Sequence, residues 1–172
     1  MSMILFDSQA VTAALDEMSK AMHGPEVYLV GIHSGGADVA DAIQNRLEST
    51  GITVLRGDLD IGFYRDDLDT IGPNPEVRPS VLPFDVAGKD IWLVDDVLYT
   101  GRTIRAAMDE LFDYGRPASI RLAVLVDRGG RELPIAAMCA GLSHHAPDDC
   151  TVELVTDGAW TIEQRQVKSC DH

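Results

Sequence analysis

The feature that most restricts the fold of this chain is an apolar run that leads through two acids into a helix. The run is Ile91-Trp92-Leu93-Val94, the acids are Asp95-Asp96, and the segment from Val97 to Thr103 makes a turn and begins the helix. A short apolar run of this kind is typical of a strand buried on both faces of a parallel sheet. The segment therefore predicts a strand–turn–helix unit of an α/β fold.

The two carboxylates stand at the predicted carboxyl end of that strand, the edge at which open α/β sheets bind ligands. The helix that follows leaves its first backbone N–H groups unpaired, and such groups suit a phosphate. Carboxylates accept hydrogen bonds from sugar hydroxyls, so the combination predicts a phosphorylated sugar along the turn. No GxxxxGK[ST] sequence occurs, and no GxGxxG opens a helix; neither a P-loop nor a dinucleotide-binding fold is indicated.

The rest of the chain alternates between buried-strand and amphipathic-helix patterns. Strands are predicted at residues 27–32, 53–61 and 120–126, and helices begin near Ser8, Val39 and Ile104. This alternation predicts one domain over residues 1–172, with a mostly parallel sheet flanked by helices and strand 53–61 nearer an edge. The opening and closing segments are expected to form a small hood over the carboxyl edge. From Tyr64 to Phe84 the chain is polar and proline-rich, which predicts a long flexible loop.

The net charge of −14, from 14 Lys and Arg against 28 Asp and Glu, restricts the partners of the chain. Such a field repels nucleic-acid backbones, so a phosphorylated ligand needs backbone amides, a few arginines or Mg²⁺.

Three cysteines without CxxC spacing fit a reducing cytoplasm. The start lacks a basic segment followed by an apolar stretch, and no apolar run is long enough for a bilayer. Neither a signal peptide nor a membrane span is expected.

The segment from Asp95 to Thr103 resembles the phosphoribosyl-pyrophosphate signature of type I phosphoribosyltransferases, and within them it closely resembles the PyrR group. These proteins are pyrimidine-operon attenuators that double as uracil phosphoribosyltransferases. Two further stretches agree: Tyr64 to Leu68, and Val124 to Gly129 followed by Arg131 to Ile135. The resemblance implies the type I phosphoribosyltransferase fold, Mg²⁺ as cofactor, phosphoribosyl pyrophosphate and uracil as substrates, and UMP as product. It also implies a homodimer or larger homo-oligomer.

The resemblance further implies a role for each part of the motif. Asp95 and Asp96 are expected to bind the ribose hydroxyls, with Mg²⁺ bridging those hydroxyls and the pyrophosphate. The two acids and Arg65 are the implied catalytic residues, and Arg65 would neutralise the leaving pyrophosphate from the long loop. The 5′-phosphate is expected in a cradle of backbone amides and threonine hydroxyls formed by Tyr99, Thr100, Gly101, Arg102 and Thr103.

Two other turns complete the implied site. The pyrophosphate loop is expected to follow the first buried strand, at His33, Ser34, Gly35 and Gly36. This superfamily often carries a non-proline cis peptide there, and the candidate bond is His33–Ser34. The base is expected under the end of strand 120–126, at the backbone of Val126, Asp127 and Arg128.

Position 99 bears on the choice of base. Purine-using relatives generally place an acid there, whereas this chain has Tyr99, which favours a pyrimidine. The residues do not decide between uracil and orotate; the resemblance favours uracil.

Departures from the PyrR pattern bear on RNA binding. PyrR proteins that act on RNA typically carry Arg where this chain has Gly35 and His where it has Gly130. Their first helix is rich in Arg, whereas this one offers Asp16, Glu17 and a single Lys20. The candidate basic cluster that remains is the set Arg116, Arg121, Arg128 and Arg131.

Three functions are therefore carried forward. The first is an enzyme that makes UMP and pyrophosphate from uracil and phosphoribosyl pyrophosphate. The second is an attenuator that binds pyrimidine-operon mRNA in response to UMP, with incidental catalysis. The third is a phosphoribosyltransferase for another base.

Overall fold

The computed structural model describes residues 2–62 and 79–167, and the three helices and eight strands named here lie within these ranges. In chain order they are β1 (Ser2–Phe6), α1 (Ser8–Lys20), β2 (Glu26–Ile32), α2 (Gly35–Ser49), β3 (Thr53–Leu59), β4 (Asp90–Leu98), α3 (Arg102–Asp113), β5 (Ser119–Asp127), β6 (Cys139–Ser143), β7 (Cys150–Val155) and β8 (Thr161–Gln166). Most of the predicted long loop, with Arg65, lies outside the described residues. None of the described helices has the length and apolar character that a membrane span requires.

The main sheet has the strand order β3-β2-β4-β5-β6, and every neighbouring pair in it is parallel. The apolar run of β4 lies at its centre, and residues 91–94 are at most 6% exposed. Trp92 and Val94 face α1 and α2, whereas Ile91 and Leu93 face α3. This alternation explains why an unbroken apolar run was needed, since both faces of a central parallel strand are covered. The predicted parallel sheet with helices on both faces is confirmed, as is the edge position of β3.

The helices follow from local sequence. The Asp7 carboxylate caps α1 by accepting a hydrogen bond of 2.9 Å from the Ala10 N–H. The apolar stripe of α1 includes Val11, Leu15 and Met18, which are at most 3% exposed. A helix with one apolar face gains most of its stability from burying that face, so the 3.6-residue period sufficed to predict it.

The hood is a second, antiparallel sheet in the order β1-β8-β7. His144 joins it to the end of β5, since the His144 N–H donates to the Asp127 carbonyl at 2.9 Å and the ring Nε2 lies 3.0 Å from the Gln164 Oε1 of β8. The small hood was thus correctly expected, but β8 lies in what the sequence indicated to be only a polar tail. Ile162 is the one fully buried side chain of that strand. A strand with a largely solvated surface shows little apolar signal, so its hydrophobic pattern did not reveal it.

Strand β4 is longer than the apolar run predicted, because it continues through the acids to Leu98. The extension is paired with β5, in the register Asp95 to Val124 and Leu98 to Asp127. On its other side, pairing with β2 ends at Gly31 and Val94. Asp95 and Asp96 are therefore the first two residues beyond the part of β4 that β2 covers, and they lie within the strand and not at its end.

Candidate active site

The glycine loop (residues 33–36) lies directly against the acid pair, Asp95 and Asp96. The loop joins β2 to α2, and its His33–Ser34 peptide bond is cis, as the sequence comparison led us to expect. A Cβ built on Gly36 would fall 2.6 Å from the Val94 carbonyl oxygen and 3.0 Å from the Asp95 Cα. A Cβ on Gly35 would overlap the Asp96 carboxylate. Glycine at both positions is what allows the loop and the acids to approach.

The acid pair is oriented by its own backbone. An Asp95 carboxylate oxygen accepts the Asp96 N–H, and an Asp96 carboxylate oxygen accepts the Val97 N–H, each at 2.9 Å. Asp95 is only 5% exposed, while Asp96 is half-buried. Carboxylates oriented in this way are suited to sugar hydroxyls and to Mg²⁺, which prefers oxygen ligands. Within the described residues no three His, Cys, Asp or Glu side chains form a metal-ligand set.

The β4 turn (residues 99–103) begins α3. Gly101 is the residue before the helix and has a φ of +94°, a conformation that favours glycine. Thr100 is buried, and its hydroxyl accepts the Arg102 N–H at 3.2 Å. The Arg102 side chain is exposed and pairs with Glu132 at 2.7 Å. Residues 99–103 thus span the N-terminus of α3, where unpaired backbone N–H groups favour an anion, as the predicted phosphate cradle requires.

A neighbouring segment, the strap (residues 131–135), donates hydrogen bonds to the backbone carbonyls of this turn. Arg131 donates to the Tyr99 carbonyl at 2.8 Å, and the Glu132 and Leu133 N–H groups donate to the Thr100 carbonyl at 3.0 and 3.1 Å. The Ile135 side chain packs against Gly101. The sequence placed these residues in a motif but assigned the strap no role in the site. The sequence signal that could have indicated this role is that residues 131–135 belong to one of the stretches that resemble the PyrR group, together with the phosphoribosyl-pyrophosphate signature.

The β5 turn (residues 126–130) lies beside the β4 turn, because Leu98 is paired with Asp127. Val126 is buried in β5, and Asp127 is the last residue of that strand. The Asp127 carboxylate accepts two hydrogen bonds of 2.7 Å from Arg131 and one of 3.0 Å from the Gly129 N–H. Partial burial raises the pKa of Asp127, but these hydrogen bonds and the Arg131 charge outweigh it and lower the pKa overall.

Arg128 is not a surface cation. Its side chain is buried, with 3% of the residue exposed. The guanidinium donates to the carbonyls of Cys150, Pro147 and Ala146 at 2.7, 3.1 and 3.4 Å. It also lies 3.7 Å from the centre of the Tyr99 ring. Arg128 therefore connects the β5 turn to the hood and to the β4 turn.

The predicted basic cluster of Arg116, Arg121, Arg128 and Arg131 is wrong, because the central sheet divides it. Arg121 is paired with Trp92 near the amino end of β5, and Arg116 precedes that strand. Arg128 and Arg131 follow the carboxyl end of the strand. Six residues of β5, 122–127, stand between Arg121 and Arg128, a distance on the order of 20 Å.

Carboxylates accompany most basic side chains of residues 2–62 and 79–167. Ion pairs of 4 Å or less involve Lys20, Arg46, Arg56, Arg102, Arg105, Arg121, Arg131 and Arg165. Lys89 lies over the Tyr28 ring, at 5.2 Å from its centre. These pairs leave little local positive charge in the described part of a chain that is strongly acidic overall.

Comparison with known proteins gives four similarities. Residues 4–152 match the phosphoribosyl transferase domain. The bifunctional protein PyrR of Nitrosococcus oceani is 57% identical over 117 residues, which is 68% of this chain and 64% of that protein. The bifunctional protein PyrR of Endomicrobium trichonymphae is 44% identical over 169 residues, 92% of this chain and 96% of that protein. A crystal structure of the Trypanosoma cruzi hypoxanthine phosphoribosyltransferase matches 96% of this chain and 97% of its own, with a TM-score of 0.66 and 17% identity, a likeness of fold alone.

Proposed function

Because the chain belongs to the phosphoribosyl transferase family and is PyrR-like within it, we propose that it makes UMP and pyrophosphate from uracil and phosphoribosyl pyrophosphate. The observation that carries this proposal is the contact between the glycine loop and the acid pair. In phosphoribosyl pyrophosphate the pyrophosphate and the ribose hydroxyls are attached to neighbouring carbons. A site for this substrate therefore needs its pyrophosphate loop next to its hydroxyl acceptors, and Gly36 lies against Asp95.

The reaction breaks the bond from the anomeric carbon to the pyrophosphate oxygen and forms a bond from that carbon to N1 of uracil, which loses its proton. The ribose gains oxocarbenium character as pyrophosphate leaves. Two carboxylates beside the ring, Asp95 and Asp96, stabilise that positive charge and position the hydroxyls. The glycine loop and the β4 turn hold the two phosphate groups at opposite ends of the sugar, which fixes the anomeric carbon relative to the base.

Mg²⁺ fits the chemistry of the acid pair, whose oriented oxygens are hard ligands. Asp95 and Asp96 would hold it mainly through the substrate, and it would supply positive charge that neutralises the leaving pyrophosphate. Arg65 keeps its proposed role on the same leaving group. A homodimer or larger assembly and a cytoplasmic location stay predictions.

The choice of base is tested by steady-state assays. Uracil, orotate, hypoxanthine, guanine and adenine are each supplied with phosphoribosyl pyrophosphate and Mg²⁺, and pyrophosphate release is measured. We expect uracil to have the highest kcat/KM, by at least about tenfold, a factor equal to about 1.4 kcal/mol of transition-state stabilisation. A purine as the best substrate would contradict the pyrimidine assignment, and turnover of no base would contradict the proposed activity.

RNA binding in response to UMP is the alternative that the resemblance to PyrR implies. The paired basic residues and the division of the basic cluster argue against a broad phosphate-binding face within the described residues. Filter binding with pyrimidine leader RNA, with and without UMP, separates the two functions. We expect weak binding at physiological salt; tight binding that UMP strengthens would contradict this expectation and establish the regulatory function.

A further inference from the structure

Arg128 is a buried cation that the described carboxylates do not neutralise. The neighbouring Asp127 carboxylate is engaged by Arg131, and the Arg128 guanidinium is directed at carbonyl oxygens of the hood. Its Nε has no hydrogen-bond partner and is shielded from solvent. Burying a charged group without a counter-ion is unfavourable, so whatever covers this guanidinium influences which ligands are bound nearby.

The Tyr99 ring is part of that cover. The guanidinium carbon lies 3.7 Å from the ring centre, within the range of a cation–π interaction. Two further contacts, with Arg131 and with Gly130, restrict the position of the ring. Arg131 holds the Tyr99 carbonyl at 2.8 Å, and a Cβ on Gly130 would lie 2.5 Å from the ring Cε2. Gly130 is therefore part of what allows the ring to stack on Arg128.

The stack joins the β4 turn to the β5 turn, and the base is expected at the β5 turn, beside Val126, Asp127 and Arg128. Arg128 of the β5 turn and Arg131 of the strap are both engaged there, Arg131 with Asp127 and Arg128 with the hood and Tyr99. Among the described residues of the two turns, Arg102 is also paired, with Glu132. A base that carries a carboxylate would therefore meet no available cation in the described part of this subsite.

We propose that the stack of Tyr99 on Arg128 makes the base subsite select a neutral pyrimidine over an anionic one, by covering the unneutralised guanidinium. The inference rests on the proposed function, since it concerns the same base. It identifies Arg128 and Gly130 as specificity-determining residues that act through the position of the Tyr99 ring.

Nucleotide affinity tests this proposal without requiring turnover. UMP and orotidine 5′-monophosphate differ by one carboxylate on the base, and their dissociation constants are measured by equilibrium dialysis. We expect the natural chain to bind UMP more tightly. Tyr99→Ala uncovers the guanidinium, so the preference for UMP should fall about tenfold, the size of a partly desolvated cation–π interaction. Tyr99→Phe keeps the ring and should leave the preference within about twofold.

Two further comparisons identify the charge responsible. Adding Arg128→Met to Tyr99→Ala should abolish the gain in affinity for orotidine 5′-monophosphate, provided that a thermal melt shows the double variant to be folded. Gly130→Ala displaces the ring while leaving both partners in place, and should lower the preference in the same direction. Gly129→Ala is its matched control, because φ is +73° there against +78° at Gly130 and the new Cβ would meet the exposed His145 instead of Tyr99.

The outcomes separate this inference from the proposed function. If the natural chain binds UMP but Tyr99→Ala leaves the preference unchanged, the stack does not select the base and the inference is wrong. The same conclusion holds if Gly129→Ala and Gly130→Ala change the preference equally, since the effect would then come from backbone conformation. If the natural chain neither binds UMP nor converts uracil, the proposed function itself fails.

Discussion

Replacing Arg131 by methionine tests whether the strap joins the two turns of the site. The Arg131 side chain donates two hydrogen bonds of 2.7 Å to Asp127 and one of 2.8 Å to the Tyr99 carbonyl. It is 24% exposed, so solvent screens these contacts in part. Each such hydrogen bond contributes about 1 kcal/mol net, and with screening the loss comes to about 2 kcal/mol. The melting temperature should then fall by about 4–8 °C for a chain of this size.

The matched control is Arg105→Met. Arg105 also pairs with a carboxylate, Asp109 at 3.4 Å, but both side chains are more than 60% exposed. An exposed pair of this kind is worth about 0.5 kcal/mol or less. Urea unfolding at neutral pH compares the two variants by the shift in midpoint. Equal shifts for Arg131→Met and Arg105→Met would refute the strap as a structural link.

The pH dependence of stability provides a second test of the contact between Arg131 and Asp127. The pKa of Asp127 is lowered in the folded chain. Its contribution to stability is therefore present above the unfolded pKa of about 3.9 and is lost as the pH falls through the folded pKa. Most of the favourable interaction comes from Arg131. The stability difference between the natural chain and Arg131→Met should thus be constant above about pH 5 and narrow below about pH 4; a difference that widens in acid would contradict the assignment.

Three further predictions concern the acid pair, the glycine loop and the metal. Asp95→Asn combined with Asp96→Asn should lower kcat/KM about 100-fold or more, with an unchanged far-ultraviolet circular dichroism spectrum; near-normal activity would contradict the site. Gly36→Ala should lower the free energy of unfolding by about 2 kcal/mol or more, because its Cβ would fall 2.6 Å from the Val94 carbonyl oxygen. Urea titration checks this against Gly51→Ala, whose Cβ meets nothing within 4 Å and which should cost about 1 kcal/mol from its positive φ. EDTA should stop turnover yet leave the melting temperature of the substrate-free chain unchanged, since the described residues form no metal-ligand set; a lowered melting temperature would indicate a resident metal.

Much of the fold could be predicted because it depends on short-range patterns. The apolar run before the acid pair required burial on both faces, and the central position of β4 provides it. The apolar stripe of α1 and its Asp7 cap likewise follow from residues within a few positions of one another. Gly35 and Gly36 were expected in a pyrophosphate loop after the first buried strand, and they do follow β2; only the structure showed that their lack of a Cβ lets this loop contact the acid pair.

The errors share a cause, which is that they depend on pairing between distant strands. The extension of β4 through Leu98 is set by β5, which lies about 30 residues further along the chain. Strand β8 lacks a strong apolar pattern and exists because β1 and β7 flank it. Arg116 and Arg128 are twelve residues apart in sequence, yet an extended strand places them at opposite ends of the sheet. Composition and local periodicity contain no information on such register.

By itself, then, the sequence determined the strand–turn–helix unit, the family and the residues that approach the proposed sugar site. These depend on local patterns of polarity, glycine and charge. Tertiary structure alone decided that Arg131 joins Asp127 to the Tyr99 carbonyl and that Arg128 is buried beneath the Tyr99 ring. Both contacts require the register of Leu98 against Asp127. Strand pairing therefore decides whether a basic side chain is exposed to solvent or, like Arg128, is buried and connects neighbouring segments.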